Sequence, residues 1–341
     1  MADSLLIVAA PAAGLRLAVC GAPLLSREAA QRHGLAPGSA AALAQALAGS
    51  LLLAATDRPA GAPAGRVDVQ LECGGPLRGL LVDADGSGAV RGLVRVGSLD
   101  RGGGRVETGL AQATRVGASA EAALEGQGGE ALLRFDAGPL LSGAKDDVAG
   151  MLSILRAAEA APGTDPELHR ALVPFAGADL GAGISAFLRN DREGAGEMAL
   201  EVLYRHGEPL AAVAGAMVLP AAAGPGNEAA PAEELGARLR AGLLREALAR
   251  AETGAPGNAH ALAQELASRL GLGPLLVESE LRPRFLCRCS RERVVRALST
   301  LGAVELRDMA ERDGGAEASC DFCAASYRIS ARELLELASA A

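Results

Sequence analysis

The hydrophobic pattern divides the chain into three stretches. In the first, residues 5–10 and 15–22 are apolar runs of strand length. Residues 66–73 alternate, with Val67, Val69 and Leu71 separated by polar positions. That period of two predicts a half-buried strand. Gly74-Gly75-Pro76 predicts a turn, residues 77–83 a second strand, Asp85-Gly86 a turn and residues 89–96 a third strand. Together they form an antiparallel meander. Further strands are predicted at 131–136 and 198–205. Helices are expected at 26–33, with Ser26 as N-cap and Gly34 past the end, and at 39–57, an Ala/Leu-rich stretch. Three more helices are expected: 146–160, opened by Asp146-Asp147; 166–173, capped by Asp165-Pro166; and 179–189. Strands and helices mix without strict alternation. This favours an α+β fold, with packed helices on a mixed or antiparallel sheet, over a doubly wound one.

The second stretch opens with Ala-Ala-Ala-Gly-Pro-Gly-Asn, a boundary signal. Leu235, Leu239 and Leu243 then recur every four residues, with Leu244 and Leu248 beside them. Leu262, Leu266 and Leu270 do the same after a break at 253–257. Both stripes are narrow, which predicts two helices that need a neighbour to stay folded. Gly236 and Gly242 interrupt the first, each costing about 1 kcal/mol against Ala. Replacing both with Ala is therefore expected to stabilise it. In the third stretch, Ser290 caps a predicted helix at 291–301, ended by Gly302. A short helix follows at 304–312, then a hairpin at 317–329, and Ser330 with Glu333 forms a capping box for a final helix. The expected domains are an α+β core at 1–220, a metastable helical linker at 221–282 and a small domain at 283–341.

Composition narrows the function. The chain has 341 residues, 22% of them charged and 2% aromatic, with a net charge of −8. An acidic, aromatic-poor chain disfavours phosphate clamping and base stacking, so no nucleic-acid partner is expected. No leader with a positive start and no apolar run of membrane length is read, the longest candidate being 210–223, broken by Gly215 and Pro220. A cytoplasmic protein without a membrane partner is expected.

Four of the six cysteines fall near one end: Cys287-Arg288-Cys289, then Cys320-Asp321-Phe322-Cys323. Two close pairs supply four soft thiolates for one tetrahedral Zn²⁺, and that binding would staple a segment too small to hold itself. Each pair is also close enough for a local disulfide. Spacing leaves a permanent zinc ribbon and a redox switch both open. From 284 to 341 nine Arg meet nine Asp plus Glu, a poor phosphate binder once four thiolates are added.

Phe285-Leu286-Cys287-Arg288-Cys289-Ser290-Arg291-Glu292-Arg293, followed by Cys320-Asp321-Phe322-Cys323 and Tyr327, resembles the zinc centre of the thirty-three-kilodalton heat-shock chaperonin family. Gly75-Pro76-Leu77, Val90-Arg91-Gly92 and the stretch Gly215 to Pro220 resemble that family's core domain, so the resemblance spans the chain. It departs at Asn190-Asp191-Arg192, where the family often carries Ser-Glu-Gln. The resemblance implies a bacterial redox-regulated holdase chaperone, not an enzyme. One Zn²⁺ per chain is held on Cys287, Cys289, Cys320 and Cys323 in the reduced state. Peroxide or hypochlorite converts these to the disulfides Cys287–Cys289 and Cys320–Cys323. The zinc domain and then the linker unfold, and a dimer binds unfolding clients without ATP. The rival readings are a permanent zinc ribbon in an assembly or nucleic-acid-associated factor, and a thiol-disulfide oxidoreductase.

Other residues are read as structural. Cys20 and Cys73 are buried strand cysteines. His33, His169, His206 and His260 are scattered, and Gly102-Gly103-Gly104 lacks the Lys of a phosphate loop. Phe285, Phe322 and Tyr327 are expected to form the core of the zinc fold.

Overall fold

A computed structural model describes residues 2–56, 65–99, 132–135, 137–142, 150–157, 168–175, 177, 179–190, 196–205, 208–221, 230–251 and 257–340. Two six-stranded sheets organise residues Met1–Phe285, one compact unit; Leu286–Ala341 form a second. The fold is α+β.

The first sheet has the order β11-β1-β2-β10-β9-β6 and is antiparallel throughout. Its strands are β1 (Ser4–Ala10), β2 (Leu15–Gly21), β6 (Leu133–Arg134), β9 (Glu197–Arg205), β10 (Glu208–Pro220) and β11 (Leu276–Leu281). Helices cover both faces, so β1, β2 and β10 read as nearly continuous apolar runs instead of alternating. The second sheet has the order β12-β5-β4-β3-β7-β8. Strands β3 (Arg66–Glu72), β4 (Gly79–Asp85) and β5 (Ala89–Val94) are the expected meander, and β3 keeps its alternating burial. Strands β7 (Gly150–Ala157) and β8 (Leu168–Phe175) extend it, while β12 (Arg284–Phe285) pairs with β5 in parallel.

Helix α2 (Pro37–Thr56) packs on β2, β9 and β10 of one sheet and β3, β4 and β5 of the other. It is buried all round, as a helix without a polar face must be. It is also long and apolar enough to span a membrane, yet 94% of its most apolar window is buried within the protein. This is the longest uncharged stretch, not 210–223, which is largely the strand β10.

Helix α1 (Pro23–His33) begins three residues earlier than expected. Ser26 is not its cap. The Asp3 carboxylate accepts from the N–H groups of Leu24 at 3.1 Å and Leu25 at 2.6 Å, a cap from 21 and 22 residues away that local spacing does not reveal. Gly34 ends the helix in the left-handed region, as expected.

Where helices are expected at 146–160 and 166–173, the described residues 150–157 and 168–173 belong to the strands β7 and β8. Their Ala, Leu and Arg content suits a helix, but seven residues of β3 pair with β7 and eight residues of β7 pair with β8. Tertiary pairing overrides propensity here. Asp146-Asp147, Asp165-Pro166, Gly102-Gly103-Gly104, Asp191-Arg192 and His206 lie outside the described residues. After α3 (Gly138–Leu141), helix α4 (Leu180–Asn190) forms as expected, with Asp179 accepting from the Gly181 and Ala182 N–H groups.

The helices of the segment expected to be a linker pack on the first sheet, within the same compact unit. Helix α5 (Ala230–Arg238) runs through a π turn (Leu239–Leu243) into α6 (Leu244–Ala251), and α7 (Ala259–Leu270) follows. Leu239, Leu244, Leu248, Leu262, Leu266 and Leu270 are buried against Leu6, Val8, Leu17 and Val19 of the sheet. Both glycines of this segment are required where they stand. A Cβ on Gly236 would lie 2.2 Å from the Cβ of buried Glu197. Gly242 has φ of +129°, which side-chain-bearing residues rarely adopt. The expectation that Ala at both positions stabilises the helix is thus overturned. Residues 276–281, expected within a helical segment, are an edge strand paired with β1.

In the second unit, α8 (Arg291–Leu298), α9 (Ala303–Arg312) and α10 (Ala331–Ala340) join a two-stranded sheet of β13 (Gly315–Ser319) and β14 (Ser326–Ser330). Helix α8 stops at Leu298 with Ser299 as its C-cap, short of the expected end at Gly302, which is instead the N-cap of α9. Leu306, Ala310, Ile329, Leu334 and Ala338 are its buried apolar centre.

Candidate metal centre

Two short segments carry the four cysteines. Cys287 and Cys289 lie outside regular secondary structure just before α8. Ser290 accepts from the Arg293 N–H at 3.3 Å and starts that helix, while the Arg293 guanidinium donates back to the Arg288 carbonyl at 2.8 Å. The loop between the cysteines is thereby held to the helix that follows it. Arg291 reaches further, to the Arg328 carbonyl at 3.3 Å and the Glu333 carboxylate at 2.6 Å. It ties this segment to the hairpin and to α10. Glu333 closes the expected capping box, and the Ser330 N–H and hydroxyl hold its carboxyl down at about 2.

Cys320 and Cys323 occupy the turn between β13 and β14. The Cys323 and Ala324 N–H groups donate to the Cys320 carbonyl, at 3.3 and 2.8 Å, and Cys320 N–H donates to Ala325 O at 2.9 Å. Ala324 takes φ of +56° to close the knuckle. This curl points main-chain N–H groups at sulfur: Phe322 N–H at Cys320 and Ala325 N–H at Cys323.

The four sulfurs converge. All lie within 4.8 Å of one another, with Cys287 Sγ 3.6 Å from Cys320 Sγ and Cys289 Sγ 3.3 Å from Cys323 Sγ. Four thiolates about 2.3 Å from a common ion would sit about 3.8 Å apart in a regular tetrahedron. The donor set and its spacing therefore fit a thiolate-bound metal ion. Burial pushes the Cys323 thiol up to about 12, and burial raises Cys320 as well. Neutral thiols are thus favoured in the bare cluster, and a cation is what would make four thiolates stable together. Among the described residues, no other group of three or more His, Cys, Asp or Glu converges in this way.

The Tyr327 hydroxyl donates to Cys289 Sγ at 3.0 Å. Sequence reasoning placed Tyr327 in the core of this unit, with Phe285 and Phe322. The structure separates them. Phe285 belongs to the first unit, where the Arg32 guanidinium lies 5.0 Å from its ring centroid. Phe322 and Tyr327 are only half-buried beside the sulfurs, and aliphatic side chains make the core instead. Their rarity and closeness to the cysteines pointed at the site, though not at a hydrogen bond. Cys20 and Cys73 are buried, and burial raises both thiols. His260 pairs with Glu280 at 3.3 Å, and His33 lies in the last turn of α1.

The family described as Hsp33 protein matches residues 3–330. The chain belongs to the Hsp33 family. Relatives named 33 kDa chaperonin include one from Trichormus variabilis, 31% identical over 354 residues, covering 99% of this chain and 96% of the relative. Another, from Microcystis aeruginosa, is 29% identical over 344 residues, with 99% and 97% covered. The crystal structure of the 33 kDa chaperonin from Thermotoga maritima matches with a TM-score of 0.67 at 18% identity, over 99% of this chain and 98% of that one. It shares the fold. As a member of the Hsp33 family the chain has a chaperone function, and its cysteine cluster is placed to hold a metal ion.

Proposed function

We propose that this chaperone is a redox-regulated holdase of the cytoplasm, switched by its cysteine cluster. Cys287, Cys289, Cys320 and Cys323 hold one Zn²⁺ in the reduced state. The observation that carries the reading is the convergence of four sulfurs, from two chain segments, within 4.8 Å. Zn²⁺ would supply the charge that keeps four thiolates together and so contributes folding free energy to the small unit.

An oxidant takes two electrons from each close pair. Cys287 with Cys289, and Cys320 with Cys323, then close as disulfides and lose the negative charge that held the ion. Residues 283–341 lose their staple and unfold. Residues 221–282 act as the metastable linker, because their chain runs directly through β11 and β12 into Cys287. When α5 to α7 leave the first sheet, apolar residues such as Leu6, Val8, Leu17 and Val19 are uncovered. That surface binds unfolding clients, and the active form is a homodimer.

The test uses one sample. Peroxide with mild heat is expected to release one zinc per chain and to suppress aggregation of an unfolding client, with both reversed by dithiothreitol. Retained zinc with unaffected aggregation would sink the reading.

A further inference from the structure

Donors to sulfur in this centre include both main-chain and side-chain groups. Those on Cys320 and Cys323 are main-chain N–H groups, fixed by the curl of the knuckle. The donor on Cys289 is a side chain, the Tyr327 hydroxyl at 3.0 Å. Strand pairing holds it there: Tyr327 sits opposite Ala318 in the β13–β14 hairpin, two residues before Ile329, which is buried in the unit's core. Cys289 is also 3.3 Å from Cys323, so this sulfur sits between the two segments.

We propose that Tyr327 sets the rate at which the centre is oxidised, by shielding the Cys289 thiolate. This rests on the redox reading above and names the residue that tunes it. A hydrogen bond to a thiolate spreads its negative charge and lowers its nucleophilicity. The first oxidative step depends on that nucleophilicity. A thiolate attacks a hydroperoxide such as H₂O₂: the S–O bond forms, the O–O bond breaks and hydroxide leaves. The sulfur loses two electrons and the peroxide gains them. The neighbouring thiolate then displaces hydroxide from the sulfenic sulfur, forming S–S and breaking S–O. Two thiolates and one H₂O₂ thus give one disulfide and two hydroxides. With Tyr327 on Cys289, this sulfur attacks peroxide more slowly than it would without the hydroxyl's hydrogen bond. The knuckle's main-chain donors cannot be deleted by changing a side chain, whereas the Tyr327 hydroxyl can, so substitution at position 327 can reset this threshold.

The experiment compares the full-length, reduced, zinc-loaded protein with Tyr327→Phe, which keeps the ring and removes the hydroxyl. Zinc release by H₂O₂, read with a metallochromic dye, is expected to be about fivefold faster, since only part of a charged hydrogen bond's strength appears in nucleophilicity. Without oxidant, iodoacetamide labelling mapped by peptide mass spectrometry is expected to rise at Cys289 and stay level at Cys320. Wild-type release with unchanged Cys289 labelling would overturn the proposal. So would an equal rise at all four cysteines, which marks a loosened fold. If the wild type itself releases no zinc to peroxide, the redox reading fails, and with it the role in oxidation; the labelling arm still reports whether Tyr327 shields Cys289.

Discussion

Gly236 and Gly242 show how a single residue's role depends on what surrounds it. On helix propensity alone each is a defect worth about 1 kcal/mol. In the folded chain Gly236 lies against the buried Glu197 side chain, and Gly242 turns the backbone at φ +129°. Gly236→Ala and Gly242→Ala are therefore each expected to destabilise the packed linker, by about 1–3 kcal/mol. Amide hydrogen exchange across residues 230–251 should be faster in both variants than in the wild type. Slower exchange would show that the segment relaxes around a methyl group. Asp3 has the same lesson. Its sequence position says nothing of a cap, and only the approach of the N-terminal strand to α1 makes it one.

At the scale of elements, one buried carboxylate joins three of them. Glu197 of β9 is fully buried and pairs with Arg189 of α4 and with Arg240 of the π turn, the latter at 2.5 Å. Arg240 also donates to Ser185 Oγ at 3.1 Å and Met198 O at 3.2 Å. This guanidinium fixes the π turn to β9 and α4 through polar contacts, beside the leucines of α5 to α7 that pack on the sheet by burial. Arg240→Met keeps the apolar stem but leaves Glu197 with half of its compensation. Breaking a buried pair in this way typically costs about 3–5 kcal/mol, and the remaining Arg189 contact puts the expectation near the lower end. Trypsin cleavage within 230–251 at low temperature should be faster in the variant; cleavage at the wild-type rate would show that the leucines alone hold the linker. The strands β7, β8 and β11 are also element-scale outcomes. Each has a local composition compatible with a helix or loop, and each is a strand because a partner strand presents its hydrogen-bonding edge.

The whole molecule divides its stability unevenly. Residues 1–285 bury two apolar layers around α2 and beneath α5 to α7. The apolar core described within residues 286–341 is a cluster of five buried side chains with partly buried ones packed against it. A unit of that size needs a staple, and the four thiolates are the group positioned to provide one. Stripping the reduced full chain with a strong chelator should abolish amide protection in α8, α9 and α10 and leave β1, β2 and α2 protected. Protection retained throughout 286–341 would mean that the small apolar core suffices.

The sequence by itself determined what local chemistry controls. Alternation specified β3, turn residues specified β4 and β5, side-chain caps specified α8 and α10, and the paired cysteines named the four sulfurs that converge. These features need only neighbours a few residues away. Tertiary structure alone decided the rest. It made strands of 150–157 and 168–175, moved the α1 cap to Asp3, turned two apparent helix breakers into packing requirements and put Tyr327 against Cys289. Each of these depends on groups brought together by the fold from distant parts of the chain, and a local pattern carries no record of them.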